Sequence, residues 1–193
     1  MSRPTRKRAG ALRVVAGDLR GRRFDAPPGT GTRPTSDRVR QATFNALESM
    51  GAVHGAVAID AFAGSGALGI EALSRGASSC LFVEESAEGR ALIRDNVEAL
   101  GLQGRTRIFR RDATDLGDAG TIMPFTLLFA DPPYGKGLGE KALAAARNGG
   151  WLRPNAFCIV EETSAAAFDA GAGFTLVDER SYGDTVIRFL ESA

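Results

Sequence analysis

Short apolar runs alternate with amphipathic stretches from about residue 52 onward, and this alternation constrains the fold more than any other feature. Strand-length runs lie at residues 56–61, 80–83, 106–109, 125–130 and 156–161. Helical spacing of apolar residues lies between them, at residues 67–75, 87–100 and 138–147. Such alternation predicts an α/β fold with a mostly parallel, doubly wound sheet that binds ligands at the carboxyl ends of its strands. A late hairpin, residues 174–182 and 185–190, is expected to add antiparallel strands at one edge.

Basic residues are concentrated in the N-terminal part of the chain. Residues 1–40 hold eleven Lys and Arg against three Asp and Glu, although the net charge of the whole chain is only +1. Residues 11–24 are typical of a β-hairpin around Gly17-Asp18, and a helix is expected from about Ser36 to Gly51. A basic arm on a mildly acidic body favours a polyanionic partner, and a solvated tail that only aids solubility is the alternative. We therefore divide the chain into a basic, nucleic-acid-facing extension, residues 1–51, and a second domain, residues 52–193.

The rare residue types limit the kinds of site. Cys80 and Cys158 lie far apart in apolar runs, so two buried free thiols in a reducing cytoplasm are expected. One histidine, His54, and no clustered cysteines argue against a dedicated metal site. No apolar run approaches the roughly 18–20 residues that cross a bilayer, so no membrane partner is expected.

A glycine-rich turn follows the first strand of the alternating region. Gly64, Gly66 and Gly69 match the pattern G-x-G-x-x-G, in which glycines let the backbone approach a nucleotide-type ligand. Glu84 lies at the end of the next strand, where an acid can hold a ribose diol. Dinucleotide dehydrogenases share these features, and a plain strand–helix turn with packing glycines is also possible.

Two acids favour S-adenosyl-L-methionine (SAM) over a dinucleotide at this turn. Asp60 ends the first strand, where its carboxylate could approach the ammonium of a methionine group, whereas it would repel a pyrophosphate. Asp112 and Ala113 follow the third strand, where a short acidic side chain and the backbone could meet an adenine amine. A helix N-cap is the alternative role for Asp112.

The motif Asp131-Pro132-Pro133-Tyr134 directly follows the fourth strand. Consecutive prolines fix the backbone and remove two donors, so Asp131 and the Pro132 carbonyl can both accept hydrogen bonds from one flat amino group. Tyr134 offers a face on which a base can stack. This arrangement suits methylation of an exocyclic amine of guanine or adenine, a poor nucleophile that needs orientation and electrostatic stabilisation. A rigid turn with an exposed tyrosine is the alternative.

Three segments together resemble a known family. They are residues 31–40 (Gly-Thr-Arg-Pro-Thr-Ser-Asp-Arg-Val-Arg), residues 60–77 with the glycine-rich turn, and residues 131–135 (Asp-Pro-Pro-Tyr-Gly). The combination resembles the bacterial small-subunit ribosomal RNA guanine-N2 methyltransferases of the RsmD type. The resemblance implies a Rossmann-like SAM-dependent methyltransferase fold and N2-methylation of one 16S rRNA guanine, guanine-966 in the usual numbering, in the small ribosomal subunit.

The resemblance also assigns roles to residues by position. The SAM site would be lined by Asp60, Phe62, Gly64, Ser65, Gly66, Glu84, Asp112 and Ala113. The target guanine would be held by Asp131, Pro132, Pro133 and Tyr134. RNA would be contacted by Arg20, Arg22, Arg33 and Arg38, the last two facing RNA phosphate or the cofactor. The chain departs from the family at Glu84-Glu85-Ser86, which leaves open whether Glu84 or Glu85 holds the ribose; residues 3–8 lie outside the matched region.

These observations together predict a monomeric cytoplasmic enzyme that methylates a guanine by direct in-line transfer. The guanine would be unpaired or flipped, because its N2 edge is otherwise engaged in a helix. DNA adenine-N6 methylation is an alternative, although 193 residues show no target-recognition domain. A noncatalytic RNA-binding assembly factor is a second alternative. A dinucleotide oxidoreductase is a third, and it leaves residues 131–134 without a purpose.

Overall fold

The computed structural model describes residues 10–27 and 34–193. The N-terminal part contains β1 (Ala11–Arg13), β2 (Arg23–Asp25) and α1 (Pro34–Ser49). The body follows with β3 (Val57–Asp60), α2 (Ala67–Ser74), β4 (Ser79–Val83), α3 (Ala87–Leu100), a 3-10 turn (Gln103–Arg105), β5 (Thr106–Phe109), β6 (Phe125–Ala130), α4 (Leu138–Asn148), β7 (Leu152–Thr163), β8 (Phe174–Tyr182) and β9 (Thr185–Ser192). Arg33 and residues 3–8 lie outside the described residues.

Seven strands form one sheet in the order β5-β4-β3-β6-β7-β9-β8, and β1 pairs with β2 in a separate hairpin. The strands from β5 to β7 are parallel, whereas β9 and β8 are antiparallel. The chain leaves β3 toward β4 on one side and returns to β6 on the other. This reversal of strand order is the place where doubly wound sheets open a ligand crevice. The predicted sheet and its antiparallel edge hairpin are confirmed.

Two predicted element boundaries are wrong for local reasons. The strand expected at residues 156–161 begins four residues earlier, because Leu152 already pairs with Phe125 of β6. The register of this pairing shifts after Leu152, and Asn155 has a left-handed φ of 60° in the shifted segment. Pro154 and Asn155 lie in this irregular part of the strand. Helix α1 begins at Pro34 instead of near Ser36, which fits the preference of proline for the first helical position.

Apolar side chains cover both faces of the sheet. On one face, α1, α2 and α3 pack with the hairpin, and the rings of Phe44 and Phe129 lie 5.3 Å apart between centroids. On the other face, α4 packs around the buried Trp151, whose indole N–H donates to the Gly117 carbonyl at 2.7 Å. A fully buried aromatic side chain contributes about 2–3 kcal/mol, so these rings are major contributors to the stability of the two layers.

A buried ionic group attaches the N-terminal part to the body. Glu71 of α2 accepts hydrogen bonds from the backbone N–H groups of Val15 and Ala16, at 2.8 and 3.0 Å. The same carboxylate pairs with Arg75 at 2.8 Å and with Arg40 of α1 at 3.6 Å. We call Glu71, Arg40 and Arg75 the Glu71 cluster. It joins the hairpin and α1 to the helix that follows the glycine-rich turn.

Candidate functional site

The reversal of strand order brings three predicted site segments to one edge of the sheet. Strand β3 ends at Asp60, β4 ends just before Glu84, and β6 ends just before Asp131. Between them lies a cleft of about 500 Å3, which we call the glycine-turn cleft. Its walls include Phe62, Gly64, Glu84, Glu85, Asp112, Ala113, Asp131 and Pro133. Asp60, Ser65 and Gly66 are buried beneath or beside this wall.

The backbone of the turn itself requires glycine. Gly64 and Gly66 have φ angles of +54° and +81°, which disfavour any other residue type. Gly66 directly precedes the first residue of α2, and a side chain at this position would stand 3.2 Å from the ring of Phe82. Ser65 is held by its carbonyl, which accepts from the Asn96 amide at 2.9 Å. The turn is therefore held in place by Asn96 of α3, and Gly64 faces the cleft.

Asp60 is a buried carboxylate with an unused acceptor. Its side chain is 1% exposed, and Oδ2 accepts from the Gly69 backbone N–H at 3.1 Å. Oδ1 has no hydrogen-bond partner among the described residues. Burial, and secondarily the nearby charge of Glu84, raise the pKa of Asp60 to about 7, although the Gly69 N–H opposes the shift. An unpaired buried carboxylate is costly, so this atom suits a cationic group such as the ammonium of SAM.

Glu84 and Glu85 differ in how the fold holds them. The Glu84 carboxylate accepts from the N–H groups of Gly64 at 2.9 Å and Ser86 at 2.8 Å. Glu85 is exposed at the rim of the same cleft. Gly89 makes room for Glu84, because a Cβ there would lie 2.7 Å from its side-chain carbons. Glu84 is thus the acid that is positioned against the turn, and Gly89 is a supporting residue that the sequence reasoning missed.

Asp112 lies at the surface of the cleft and caps a turn. One of its oxygens accepts from the N–H and the hydroxyl of Thr114, at 2.8 and 2.7 Å. The structure has no helix at this point, so the alternative role as a helix N-cap is wrong. Ala113 is buried against the core, and the wall is completed by Arg111, which donates to the Leu116 carbonyl.

The Asp-Pro-Pro-Tyr segment forms the corner between two clefts. Asp131 lines the glycine-turn cleft and also a second cleft of about 440 Å3 on the other side, which we call the tyrosine cleft. Pro132 is buried, Pro133 faces the glycine-turn cleft, and Tyr134 lines the tyrosine cleft with 42% of its surface exposed. A group in one cleft and a group in the other would therefore meet at Asp131.

Strand β7 contributes two acids that the sequence reasoning missed. Tyr134 donates its hydroxyl to Glu161, and Thr185 lies 3.5 Å from the same hydroxyl. Glu162 is buried and accepts from the N–H groups of Gly135 and Thr163, at 2.9 and 2.7 Å. The sequence does show two consecutive glutamates at the end of a buried strand. It does not show that this strand lies beside β6, which is what brings the two acids close to Asp131 and Tyr134.

Burial and the neighbouring acids raise the proton affinity of Asp131 at this corner. Enclosure by the protein, and then the charges of Glu161, Asp60 and Glu162, raise the pKa of Asp131 well above its usual range, although the side chain remains open to the clefts. Burial raises the pKa of Glu161, and the Tyr134 hydroxyl opposes that shift. Burial and the hydrogen bond to Glu161 raise the pKa of Tyr134, which keeps the phenol protonated.

The predicted RNA-contacting arginines occupy two surfaces. Arg20 is exposed on the hairpin turn, and Arg22 donates to the Ala99 carbonyl at 2.7 Å near the end of α3. Arg38 is exposed in a shallow cavity beside Tyr182, next to the tyrosine cleft. Arg40, which was not predicted, lines the tyrosine cleft itself. Arg38 and Arg40 therefore lie nearer the Asp131 corner than the hairpin arginines do.

Membrane-spanning helices and metal-binding clusters are both absent from the part of the chain that the structure describes. Within residues 10–27 and 34–193, no helix combines the length and apolar character that crossing a bilayer requires. The same residues contain no group of three or more His, Cys, Asp or Glu side chains arranged to hold a metal ion. Cys80 and Cys158 are both buried and unpaired, and burial raises the pKa of each thiol.

Comparison with known proteins gives consistent matches over nearly the whole chain. Residues 12–191 match the family described as conserved hypothetical protein 95. Ribosomal RNA small subunit methyltransferase D of Escherichia coli K12 is 35% identical over 194 residues, covering 99% of this chain and 95% of that protein. The protein of the same name from Haemophilus influenzae is 32% identical over 185 residues, covering 95% of each chain.

Solved structures give the same result for the fold. A putative methyltransferase from Escherichia coli superposes with a TM-score of 0.81 at 32% identity, covering 95% of this chain and 98% of that one. A Thermus thermophilus 16S rRNA N2 methyltransferase in complex with AdoMet and guanosine gives a TM-score of 0.69 at 18% identity, covering 95% of this chain and 50% of that one. The predicted Rossmann-like, SAM-dependent methyltransferase fold is confirmed.

Proposed function

We propose, because the chain belongs to the conserved hypothetical protein 95 family of RsmD-type ribosomal RNA methyltransferases, that it methylates N2 of one guanine of 16S rRNA with SAM as donor. The target would be guanine-966 in the usual numbering. The observation that carries the proposal is the position of Asp131, which lines both the glycine-turn cleft and the tyrosine cleft. A donor in the first cleft and a base in the second would meet at this residue.

The glycine-turn cleft fits SAM by the chemistry of its walls and of the buried acid next to them. The unpaired Oδ1 of Asp60 would hold the ammonium, and Glu84 would accept from the ribose hydroxyls. The adenine would lie by Asp112 and Ala113, with Phe62 and the backbone of residues 64–66 completing the site. These are proposed contacts, and the residues are the ones that the family resemblance assigns.

The residues of the corner would orient the acceptor amine. When bound, SAM supplies an electrophilic methyl group on a sulfonium. Asp131 and the Pro132 carbonyl would accept hydrogen bonds from the guanine amino group and stabilise the positive charge that develops on nitrogen. Tyr134 would stack on the base, a contact of about 1–3 kcal/mol. No covalent nucleophile is needed for direct methyl transfer. The two buried thiols, Cys80 and Cys158, line neither of the two clefts that meet at Asp131.

The RNA would reach the corner along the basic side of the molecule. We assign residues 1–51 as the RNA-facing extension and residues 52–193 as the methyltransferase domain. Arg20, Arg22, Arg33 and Arg38 would contact phosphates, and the guanine would enter unpaired or flipped. The proposed setting is the cytoplasm, with the small ribosomal subunit as substrate and the protein acting as a monomer.

Transfer of tritium from labelled SAM tests the proposal directly. Small ribosomal subunits that lack the modification should accept one methyl group each, and duplex DNA should accept none. Mass-spectrometric mapping of the 16S rRNA should place the label on one N2-methylguanine. Label in DNA adenine instead would overturn the assignment in favour of the adenine-N6 alternative.

The variant Asp131→Asn separates catalysis from binding. We expect methylation to fall by roughly 100- to 10,000-fold, because an amide offers less electrostatic stabilisation than a carboxylate, while SAM affinity stays within a few-fold. Glu98→Gln, an exposed acid on α3, is the matched control and should leave both unchanged. Full cellular function of the Asp131→Asn protein would instead support a noncatalytic assembly factor.

A further inference from the structure

Glu161 stands beside Asp131 because of the register between two strands. Strands β6 and β7 are parallel neighbours, and their pairing places Ala130 opposite Val160. Asp131 and Glu161 are the next residues along, and adjacent strands lie about 4.8 Å apart. Both side chains line the tyrosine cleft. The acid that would hold the target amine therefore has a second acid next to it, in the cleft that would receive the base.

The two oxygens of Glu161 are used differently. One accepts from the Tyr134 hydroxyl, and the other accepts no hydrogen bond from the described residues. Glu162, by contrast, accepts two backbone N–H groups on one oxygen and does not line the tyrosine cleft. Glu161 thus has an acceptor left for a ligand.

No cation within the described residues forms an ion pair with Glu161. Arg40 lines the same cleft, but its guanidinium is engaged by Asp37 at 3.0 Å and by Glu71 at 3.6 Å. A half-enclosed carboxylate without a counter-ion favours a ligand that brings hydrogen-bond donors. The hydrogen-bond donor of this ligand must lie next to the amino group that Asp131 would hold.

Guanine presents such a donor, and adenine does not. On the Watson–Crick edge of guanine, N1–H is adjacent to the N2 amino group, whereas N1 of adenine is an acceptor. We propose that Glu161 accepts the N1–H of the target base and thereby selects guanine over purines that lack this proton. The inference rests on the proposed function and adds the residue that reads the base. Tyr134 then has two tasks, since its ring stacks and its hydroxyl orients Glu161.

2-Aminopurine probes this contact, because it keeps the 2-amino group but has no proton on N1. It also lacks the 6-oxo group of guanine, so the change of preference in the Glu161 variant assigns the effect to N1–H. Small subunits are reconstituted with 16S rRNA that carries either guanine or 2-aminopurine at the target position, and kcat/KM for methyl transfer is measured on both. The wild-type protein should prefer guanine by at least about tenfold, since a site built to bind a donor rejects the analogue that lacks it. Equal kcat/KM values on the two substrates would overturn the inference.

The variant Glu161→Gln tests the residue. Its amide can donate to the unprotonated N1 of 2-aminopurine, so the preference for guanine should shrink several-fold or reverse, while SAM affinity stays unchanged. Glu191→Gln lies at the opposite end of the sheet, on β9, and should keep the wild-type preference. Tyr134→Phe keeps the ring and removes the hydroxyl, so it should reduce the preference without abolishing methylation.

A structural role for Glu161 would lower both rates equally and leave the ratio unchanged, and that result would overturn the inference. Failure of Glu161→Gln to fold leaves the wild-type ratio and the Tyr134→Phe ratio as the deciding measurements. Failure of the proposed function has a different signature, because the wild-type protein would then not methylate the guanine-containing subunits at all.

Discussion

The substitution Asp60→Asn should stabilise the SAM-free protein above pH 7, and it should abolish SAM binding. Burial raises the pKa of Asp60 from 3.8 to about 7 in the folded chain. That shift of about three pKa units corresponds to about 4 kcal/mol, by which the ionised carboxylate disfavours the fold at pH 8. Because the folded pKa is raised, protonated Asp60 costs the fold nothing below pH 3.8, and the stability of the folded protein is highest there with respect to this group. That stability is lost as the pH rises through 7 and the buried carboxyl ionises.

The asparagine variant lacks this dependence on pH. Its amide N–H groups replace the unpaired Oδ1 and cost about 1–3 kcal/mol if they stay unsatisfied, at every pH. The stability of Asp60→Asn relative to wild type should therefore increase by up to about 4 kcal/mol between pH 4 and pH 8, whatever the constant cost of the amide. Urea unfolding at pH 4, 6 and 8 measures this difference.

The same carboxylate should make SAM affinity depend on pH. With a pKa of about 7, only about one molecule in ten carries an ionised Asp60 at pH 6. The dissociation constant for SAM should thus rise about tenfold between pH 8 and pH 6 in the wild type, which is about 1.4 kcal/mol. Calorimetric titration measures it, with Glu98→Gln as control. A relative stability that does not change with pH, together with SAM binding by Asp60→Asn, would refute the reasoning.

Three further predictions follow from packing, charge and the RNA surface. Gly69→Ala places a methyl group 2.6 Å from the buried sulfur of Cys80 and should cost about 1–3 kcal/mol in urea unfolding, whereas Gly104→Ala meets nothing within 4 Å and should cost less than 1. Glu71→Gln removes the buried carboxylate that pairs with Arg75 and Arg40, which keep Glu48 and Asp37 as their other acidic partners. The change should cost about 1.5–3 kcal/mol, with a matching fall in the melting temperature. Arg38→Gln should weaken subunit binding and lower the slope of log affinity against log salt concentration by about one, and an unchanged slope would remove Arg38 from the RNA surface.

The parts of the site that are local in sequence could be predicted. Asp60 and the glycines of the turn are adjacent along the chain, and the apolar strand before them fixes the edge of the sheet at which they lie. The corner at residues 131–134 was identified in the same way, because a motif and its preceding strand occupy one stretch. The strand alternation itself predicted the parallel sheet, since periodicity and length distinguish strands from helices.

Features that depend on register or on distant packing could not be predicted. Glu161 matters because β7 lies beside β6, and a one-residue change in pairing would turn its side chain to the opposite face. Gly89 matters because of the space that Glu84 occupies, and Asp112 caps a turn where the sequence equally suggested a helix. The spacing of residues along the sequence does not predict these contacts, because they depend on how distant segments pack in the folded chain.

The Glu71 cluster has a practical consequence for anyone who wishes to remove the basic arm. Cutting the chain near residue 51 would strip Arg40 and the two hairpin N–H groups from a carboxylate that is 1% exposed. It would also uncover apolar side chains of α1, such as Phe44, which pack against the sheet. Loss of activity on truncation would thus report a collapsed scaffold, and single charge changes at surface arginines are the sound way to measure what the arm contributes to RNA affinity.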